Sequence, residues 1–206
     1  MGDELIFRIF FWVLLLMILI FNRIIPAIKA KKSGTKLWLD KEAIKNEGNT
    51  LVMLRIISGI ILCLFVSIYS FYPSLSDRFQ FYLPIWLRWL GTVIATVGVL
   101  FWIYAQSVLD RNWSGNLKIQ KGHKLMTTGP YGRIRHPIYA AMLLWSVGLA
   151  LFTAHTFFVL LLIIVIIFMS SRVPKEEKIM IEHFGEEYKK YMKKTGRYLP
   201  KMNHPK

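Results

Sequence analysis

The sequence predicts an all-α integral membrane protein of about five transmembrane helices, with a cytoplasmic pocket formed by the 110–139 loop and a C-terminal amphipathic helix. Three observations predict it. Of 206 residues, 54% are hydrophobic and only 19% charged, at a mean hydropathy of +0.41. The apolar residues fall in runs long enough to cross a hydrocarbon core, which takes about 20 helical residues. The formal charge of +15 is gathered into three segments between or after those runs. A 15% aromatic content excludes a disordered chain, and the single cysteine, Cys63, excludes a disulfide-stapled domain.

The first run, Leu5 to Ile25, has Arg8 and Arg23 near its ends and reads as a retained signal anchor, because bulky Ile24 and Ile25 stand where a cleavage site needs small residues. Lys29 to Asn49 is a basic connector facing solvent and lipid headgroups. The second run, Leu51 to Tyr72, carries Arg55 near its start; the third, about Leu83 to Leu109, carries Arg88 near its start. Within the third, Gly91, Ala95 and Gly98 suit close approach of a neighbouring helix.

The last apolar region, Ile138 to Ser171, would make a rod of roughly 50 Å against a bilayer core of about 30 Å. It is therefore predicted to fold back as a hairpin at Thr153-Ala154-His155-Thr156, although neither Gly nor Pro marks that turn. Segments 29–50, 110–137 and 172–206 then share one side and hold 22 of the 27 Lys and Arg residues. By the positive-inside rule that side is cytoplasmic, the N-terminus lies outside, and the basic excess signals topology rather than nucleic-acid binding. The expected setting is a multi-pass protein of the cell membrane, in two regions: a three-span part, 1–109, and a core, 110–206.

Chemistry-bearing residues concentrate in two stretches that bracket the hairpin. In the first, Pro137 suits the first turn of the fourth span, so Arg135 and His136 sit at a helix N-terminus, where backbone N–H groups and the dipole favour an anion such as a carboxylate. In the second, Pro174 is expected to start a new amphipathic helix after the fifth span, with Ile181, Phe184, Tyr188 and Tyr191 on its apolar face together with Glu177. The hairpin returns Arg172 and Glu176 to the side of Arg135 and His136. Each residue also has an ordinary structural role open to it. Glu176 and Glu177 complement a helix dipole, Arg172 and Glu176 suit an i,i+4 ion pair, Arg135 can snorkel, and Tyr131 and Tyr139 fit the interfacial belt. No His or Cys spacing suggests a metal site, and neither a G-x-G-x-x-G loop nor a Walker motif is present.

The set His123-x-Leu125, Gly129-Pro130-Tyr131, Arg135-His136-Pro137-x-Tyr139, Arg172-x-x-x-Glu176-Glu177 and Phe184-Gly185-x-x-Tyr188-x-x-Tyr191 resembles the isoprenylcysteine carboxyl methyltransferase family. Asn112-Trp113-Ser114 and the ending Thr195-Gly196-Arg197-Tyr198-Leu199-Pro200-Lys201 are similar to its short archaeal members. The Arg-His-Pro piece alone is shared with phospholipid methyltransferases and sterol reductases. The resemblance covers residues 110–201; the first three spans agree by hydropathy only. It implies a membrane methyltransferase using S-adenosylmethionine, with His123, Lys124, Leu125, Met126, Tyr131, His136, Pro137, Ile138, Tyr139 and Glu176 at the cofactor. Arg172 would face the substrate and, with Glu176, form the catalytic pair, without a metal. The implied partners are the bilayer and a lipid-soluble acid as methyl acceptor, carboxyl O-methylation being favoured over phospholipid N-methylation, a sterol or polyprenyl reductase, or a non-catalytic scaffold.

Overall fold

The computed structural model describes residues 2–32, 48–109 and 124–201. Helix α1 (Gly2–Leu19) runs through a π-helical turn, Ile20–Ile24, into α2 (Ile25–Lys32). Phe7, Phe11, Leu14 and Ile18 recur every three or four residues and are buried, whereas Leu5, Ile9, Trp12 and Val13 face outward. Asn22 continues the buried stripe inside the π turn, and its carbonyl accepts a hydrogen bond from Gln106 Nε2 at 3.3 Å. Helix α3 (Asn49–Phe71) buries only Leu51, Val52 and Tyr69, so most of its surface, Cys63 included, is left to lipid.

A short helix α4 (Pro73–Ser76) and a 3-10 turn, Asp77–Phe79, lead to α5 (Ile85–Leu109). Its partner is α6 (Pro137–Thr153), and the two approach so closely that side chains would not fit at several positions. A Cβ on Gly91 would lie 2.5 Å from Leu151 Cβ, one on Gly98 2.5 Å from the Trp145 nitrogen, and one on Gly148 would strike the Ala95 backbone. The small residues expected in the third span are therefore packing residues, and Gly148 is their counterpart on α6.

The hairpin forms where the length argument places it. Helix α6 ends at Thr153, Ala154 takes a left-handed conformation (φ 52°), and α7 (Thr156–Phe184) returns. Alanine fills the position that glycine usually holds at a helix C-terminus, its N–H bonded to the Ala150 carbonyl at 3.1 Å. Among the described residues, four helical stretches, Asp3–Ile28, Asn49–Phe71, Ile85–Leu109 and Thr156–Phe184, are long and apolar enough to cross a membrane. Helix α6, with 17 residues, is the shorter arm, about 25 Å long and at the lower limit for a span.

One expectation fails. No new helix starts at Pro174: α7 runs unbroken through it to Phe184, and the break comes at Gly185 (φ 55°) before α8 (Glu186–Lys194). The buried stripe Leu161, Val165, Met169, Val173 and Glu177 passes Pro174 without interruption, so its packing lets the helix continue past the missing N–H. At 29 residues α7 is about 43 Å long, more than a bilayer core of about 30 Å, so its C-terminal part extends past the apolar layer.

At the end of the bundle that holds the hairpin turn, residues 73–82 cover α6 and α7. Phe81 N–H donates to the Ala154 carbonyl at 2.9 Å, and Ser76 Oγ lies 2.9 Å from His155 Nε2. Arg88 pairs with Glu4 at 2.8 Å, donates to the Phe152 carbonyl at 2.9 Å and stands over the Phe7 ring. Burial holds the His155 imidazole down at about 4, so it is neutral at neutral pH.

Candidate functional site

The opposite end of the bundle is built from segment 124–139, the extramembrane part of α7, helix α8 and the strap that follows it. Gly129–Gly132 forms a 3-10 turn with Pro130 in its first turn, and Pro137 opens α6 as the spacing predicts. Tyr191 of α8 donates its hydroxyl to the Tyr131 carbonyl at 2.6 Å, and Thr195 Oγ1 closes α8 on the Tyr191 carbonyl at 2.7 Å. The strap, residues 195–201, pairs with segment 133–136 through a parallel bridge between Ile134 and Gly196.

That pairing takes up two backbone donors ahead of α6. The N–H groups of Arg135 and His136, just before α6 begins, donate to the Gly196 and Arg197 carbonyls at 2.8 and 3.0 Å. Side-chain cations stand at the same end.

Those cations lie along one polar chain. Arg172 Nε donates to the Tyr139 hydroxyl at 2.9 Å, and that hydroxyl donates to Glu176 Oε2 at 2.8 Å. Glu176 Oε1 lies 3.9 Å from His136 Nδ1, and the other ring nitrogen, Nε2, lies 3.2 Å from Glu177 Oε1. Glu177 is the hub: Arg135 Nε reaches Oε1 at 3.1 Å, while Arg197 places Nε on Oε1 at 3.2 Å and Nη2 on Oε2. Arg135 also binds the carbonyls of Met192 and Thr195, which ties α8 and the strap to the base of α6. The two glutamates differ in surroundings: the Glu177 side chain is 6% exposed and Glu176 35%.

Electrostatics keeps the nearby phenols protonated. Burial, then the Glu176 charge, pushes the Tyr131 hydroxyl well above its ordinary range, and burial pushes Tyr191 up to about 12 against the lowering effect of Arg135. Tyr188 is raised by burial and by Glu177, and the hydrogen bond to Glu177 fixes the Arg197 charge more firmly. The site therefore offers hydroxyl donors, two carboxylates and three guanidinium groups.

The hairpin brings Arg172, Glu176, His136 and Tyr139 together, as expected. Tyr131 is buried within the electrostatic reach of Glu176, and Pro137 is buried beside His136. Ile138 packs instead against the hydrophobic core. Leu125 lines a separate cavity of about 310 Å³ with Thr127, Lys190, Tyr191 and Thr195. Lys124 is exposed, and Met126 is half-buried, its sulfur accepting from Thr128 at 3.4 Å. His123 and Asn112-Trp113-Ser114 lie outside the described residues. The central position of Glu177 and the part played by Arg197 were not foreseen. The four-residue continuation of the α7 stripe from Val173 is the signal that marks Glu177; Arg197 had none.

Residues 89–182 match the model of the isoprenylcysteine carboxyl methyltransferase family. The probable protein-S-isoprenylcysteine O-methyltransferase of Oryza sativa subsp. indica is 30% identical over 117 residues, 55% of this chain and 61% of that protein. Protein-S-isoprenylcysteine O-methyltransferase B of Arabidopsis thaliana is 28% identical over 140 residues, covering 65% and 66%. The Saccharomyces cerevisiae protein-S-isoprenylcysteine O-methyltransferase is 32% identical over 114 residues, covering 54% and 48%. The chain thus spans about three fifths of the first of these relatives. Among solved structures, a eukaryotic intramembrane Ras methyltransferase, isoprenylcysteine carboxyl methyltransferase, superposes with a TM-score of 0.53 at 21% identity, over 75% of this chain and 53% of that one. That likeness concerns the fold.

Proposed function

We propose that this chain, which belongs to the isoprenylcysteine carboxyl methyltransferase family, is a membrane methyltransferase that uses S-adenosylmethionine to esterify the carboxylate of an isoprenylcysteine-like, lipid-soluble acid. The observation that carries the reading is the Arg172–Tyr139–Glu176 chain, two hydrogen bonds of 2.9 and 2.8 Å at the place where α7 leaves the apolar layer.

The donor set suits the cofactor. An α-amino acid end needs a cation for its carboxylate and an anion for its ammonium, and an adenine needs aromatic or apolar walls. Guanidinium groups, half-exposed Glu176 and the rings of Tyr131, Tyr139 and Tyr198 supply these classes of contact. When bound, S-adenosylmethionine supplies a methyl group on a sulfonium, open to in-line displacement by a carboxylate oxygen. Glu176 and His136 hold the donor side; Lys124, Met126, Tyr131 and Pro137 belong to its walls, while Leu125 and Ile138 stand further off.

Arg172 orients the acceptor carboxylate. It stands over the Phe168 ring at 5.5 Å and is 6% exposed, so it can bind a carboxylate drawn in from the bilayer while its Nε remains on Tyr139. A carboxylate nucleophile is already deprotonated, so no residue has to serve as general base, and the chain's task is alignment and exclusion of water. The proposed setting is the cell membrane, with this end of the bundle cytoplasmic and the N-terminus outside.

Purified protein given methyl-labelled S-adenosylmethionine and an S-farnesylated cysteine derivative is expected to form a product whose label mild base releases as methanol. Label that resists base would identify an N-methyl product, and absence of transfer across lipid acids would end the proposal.

A further inference from the structure

Glu177 carries more positive charge than it can neutralise. One buried carboxylate receives both Arg135 and Arg197, and His136 Nε2 lies 3.2 Å from it. Arg135 is enclosed: its side chain is 9% exposed, with Nε on Glu177 and Nη1 on the Met192 and Thr195 carbonyls. Arg197 is not. Its side chain is 45% exposed, Nε and Nη2 reach Glu177, and Nη1 has no hydrogen bond among the described residues. The surplus charge is thus presented at the outer edge of one guanidinium, on a strap whose Tyr198 ring lies 6.3 Å from the His136 ring.

On the other side of the same imidazole stands Glu176, 3.9 Å from Nδ1 and open enough to meet a ligand. A cation and an anion flanking one ring form a receptor for a zwitterion. We propose that Arg197 binds the carboxylate of the amino-acid end of the methyl donor, with Glu176 taking its ammonium. This rests on the S-adenosylmethionine reading above.

The assignment gives every charge of the site a partner: Arg135 with Glu177, Arg197 with the donor carboxylate, Glu176 with the donor ammonium, and Arg172 with the acceptor carboxylate. Arg197 keeps its hold on Glu177 while it binds, because the planar guanidinium has a second edge. The Gly196 and Arg197 carbonyls of the strap also accept hydrogen bonds from the Arg135 and His136 N–H groups, which sets the Arg197 backbone in register with His136.

The test measures dissociation constants of detergent-purified protein for S-adenosylmethionine and for its decarboxylated analogue, which keeps the sulfonium, the adenosine and the amine. The wild type should prefer the carboxylate-bearing ligand by about tenfold or more, the scale of a charge-assisted hydrogen bond. Arg197→Ala should lose that preference by weakening S-adenosylmethionine alone, with the analogue unchanged, and Arg197→Lys should fall between. If alanine prevents folding, Arg197→Gln, which retains a donor for Glu177, gives the same contrast. Equal weakening of both ligands would make Arg197 a purely structural support of Glu177 and overturn the proposal, as would no change in either. A wild type that bound both ligands equally would also overturn it, leaving the methyl-donor reading intact. Binding of neither would remove both.

Discussion

Arg172→Ala is expected to lower methyl transfer at least about a hundredfold, while the affinity for S-adenosylmethionine changes by no more than about twofold. Arg172 is buried at the boundary of the apolar layer and hydrogen-bonded to Tyr139. Removing it takes away the positive charge proposed to steer the acceptor carboxylate, and leaves Glu176 and His136 in place on the donor side. Arg172→Lys should recover only part of the loss, because an ammonium on a flexible stem cannot hold Tyr139 and a carboxylate in one plane. Separate measurement of the turnover number and of cofactor binding checks this. A variant with normal turnover, or one that lost cofactor affinity in parallel, would place Arg172 elsewhere in the chemistry.

Glu177→Ala should act on stability first. It strands Arg135, His136 and Arg197 around a space with no acceptor, and breaking a buried, hydrogen-bonded charge group by removing one partner costs about 3–5 kcal/mol. The damage should spread, since Arg135 also anchors the end of α8 and the strap through the Met192 and Thr195 carbonyls. Glu176→Ala, at a half-exposed position, should lose far less stability and more activity. Thermal unfolding in detergent, read beside the transfer rate, separates the two neighbours. Equal stability of the two variants would mean that Glu177 is no hub.

Much of the architecture was readable before any coordinates. The hairpin followed from length alone, since a largely apolar stretch of 34 residues cannot lie in one bilayer crossing, and the turn came at Ala154 without Gly or Pro. Gly91, Ala95 and Gly98 announced a close helix contact by their size. Pro174 misled because proline in sequence marks a helix start more often than an interior, and only the buried stripe on either side of it shows that α7 continues. The backbone pairing just ahead of α6 was hidden for a related reason. Which groups satisfy the N–H of Arg135 and His136 depends on a strap some sixty residues away, and neither spacing nor composition reports that pairing.

Glu176 and Glu177 show the same limit at the site. Adjacent residues on a helix point about 100° apart, so one can belong to the core and the other to a ligand. Their charge is identical in the sequence; the stripe four residues on from Val173 points to Glu177, and the partners complete the distinction. Arg197 was visible as part of a recognisable ending, but its chemistry appears only once the strap lies across His136.

The central claim is that the segment leading into α6 and the extramembrane part of α7 hold one methyl donor between them. Ultraviolet cross-linking of radiolabelled S-adenosylmethionine to the purified protein, followed by peptide mapping, tests it most directly. The account predicts label in peptides spanning 124–139 and 172–177, suppressed by excess unlabelled cofactor. Label confined to α3, or to residues 73–82 at the far end of the bundle, would contradict it.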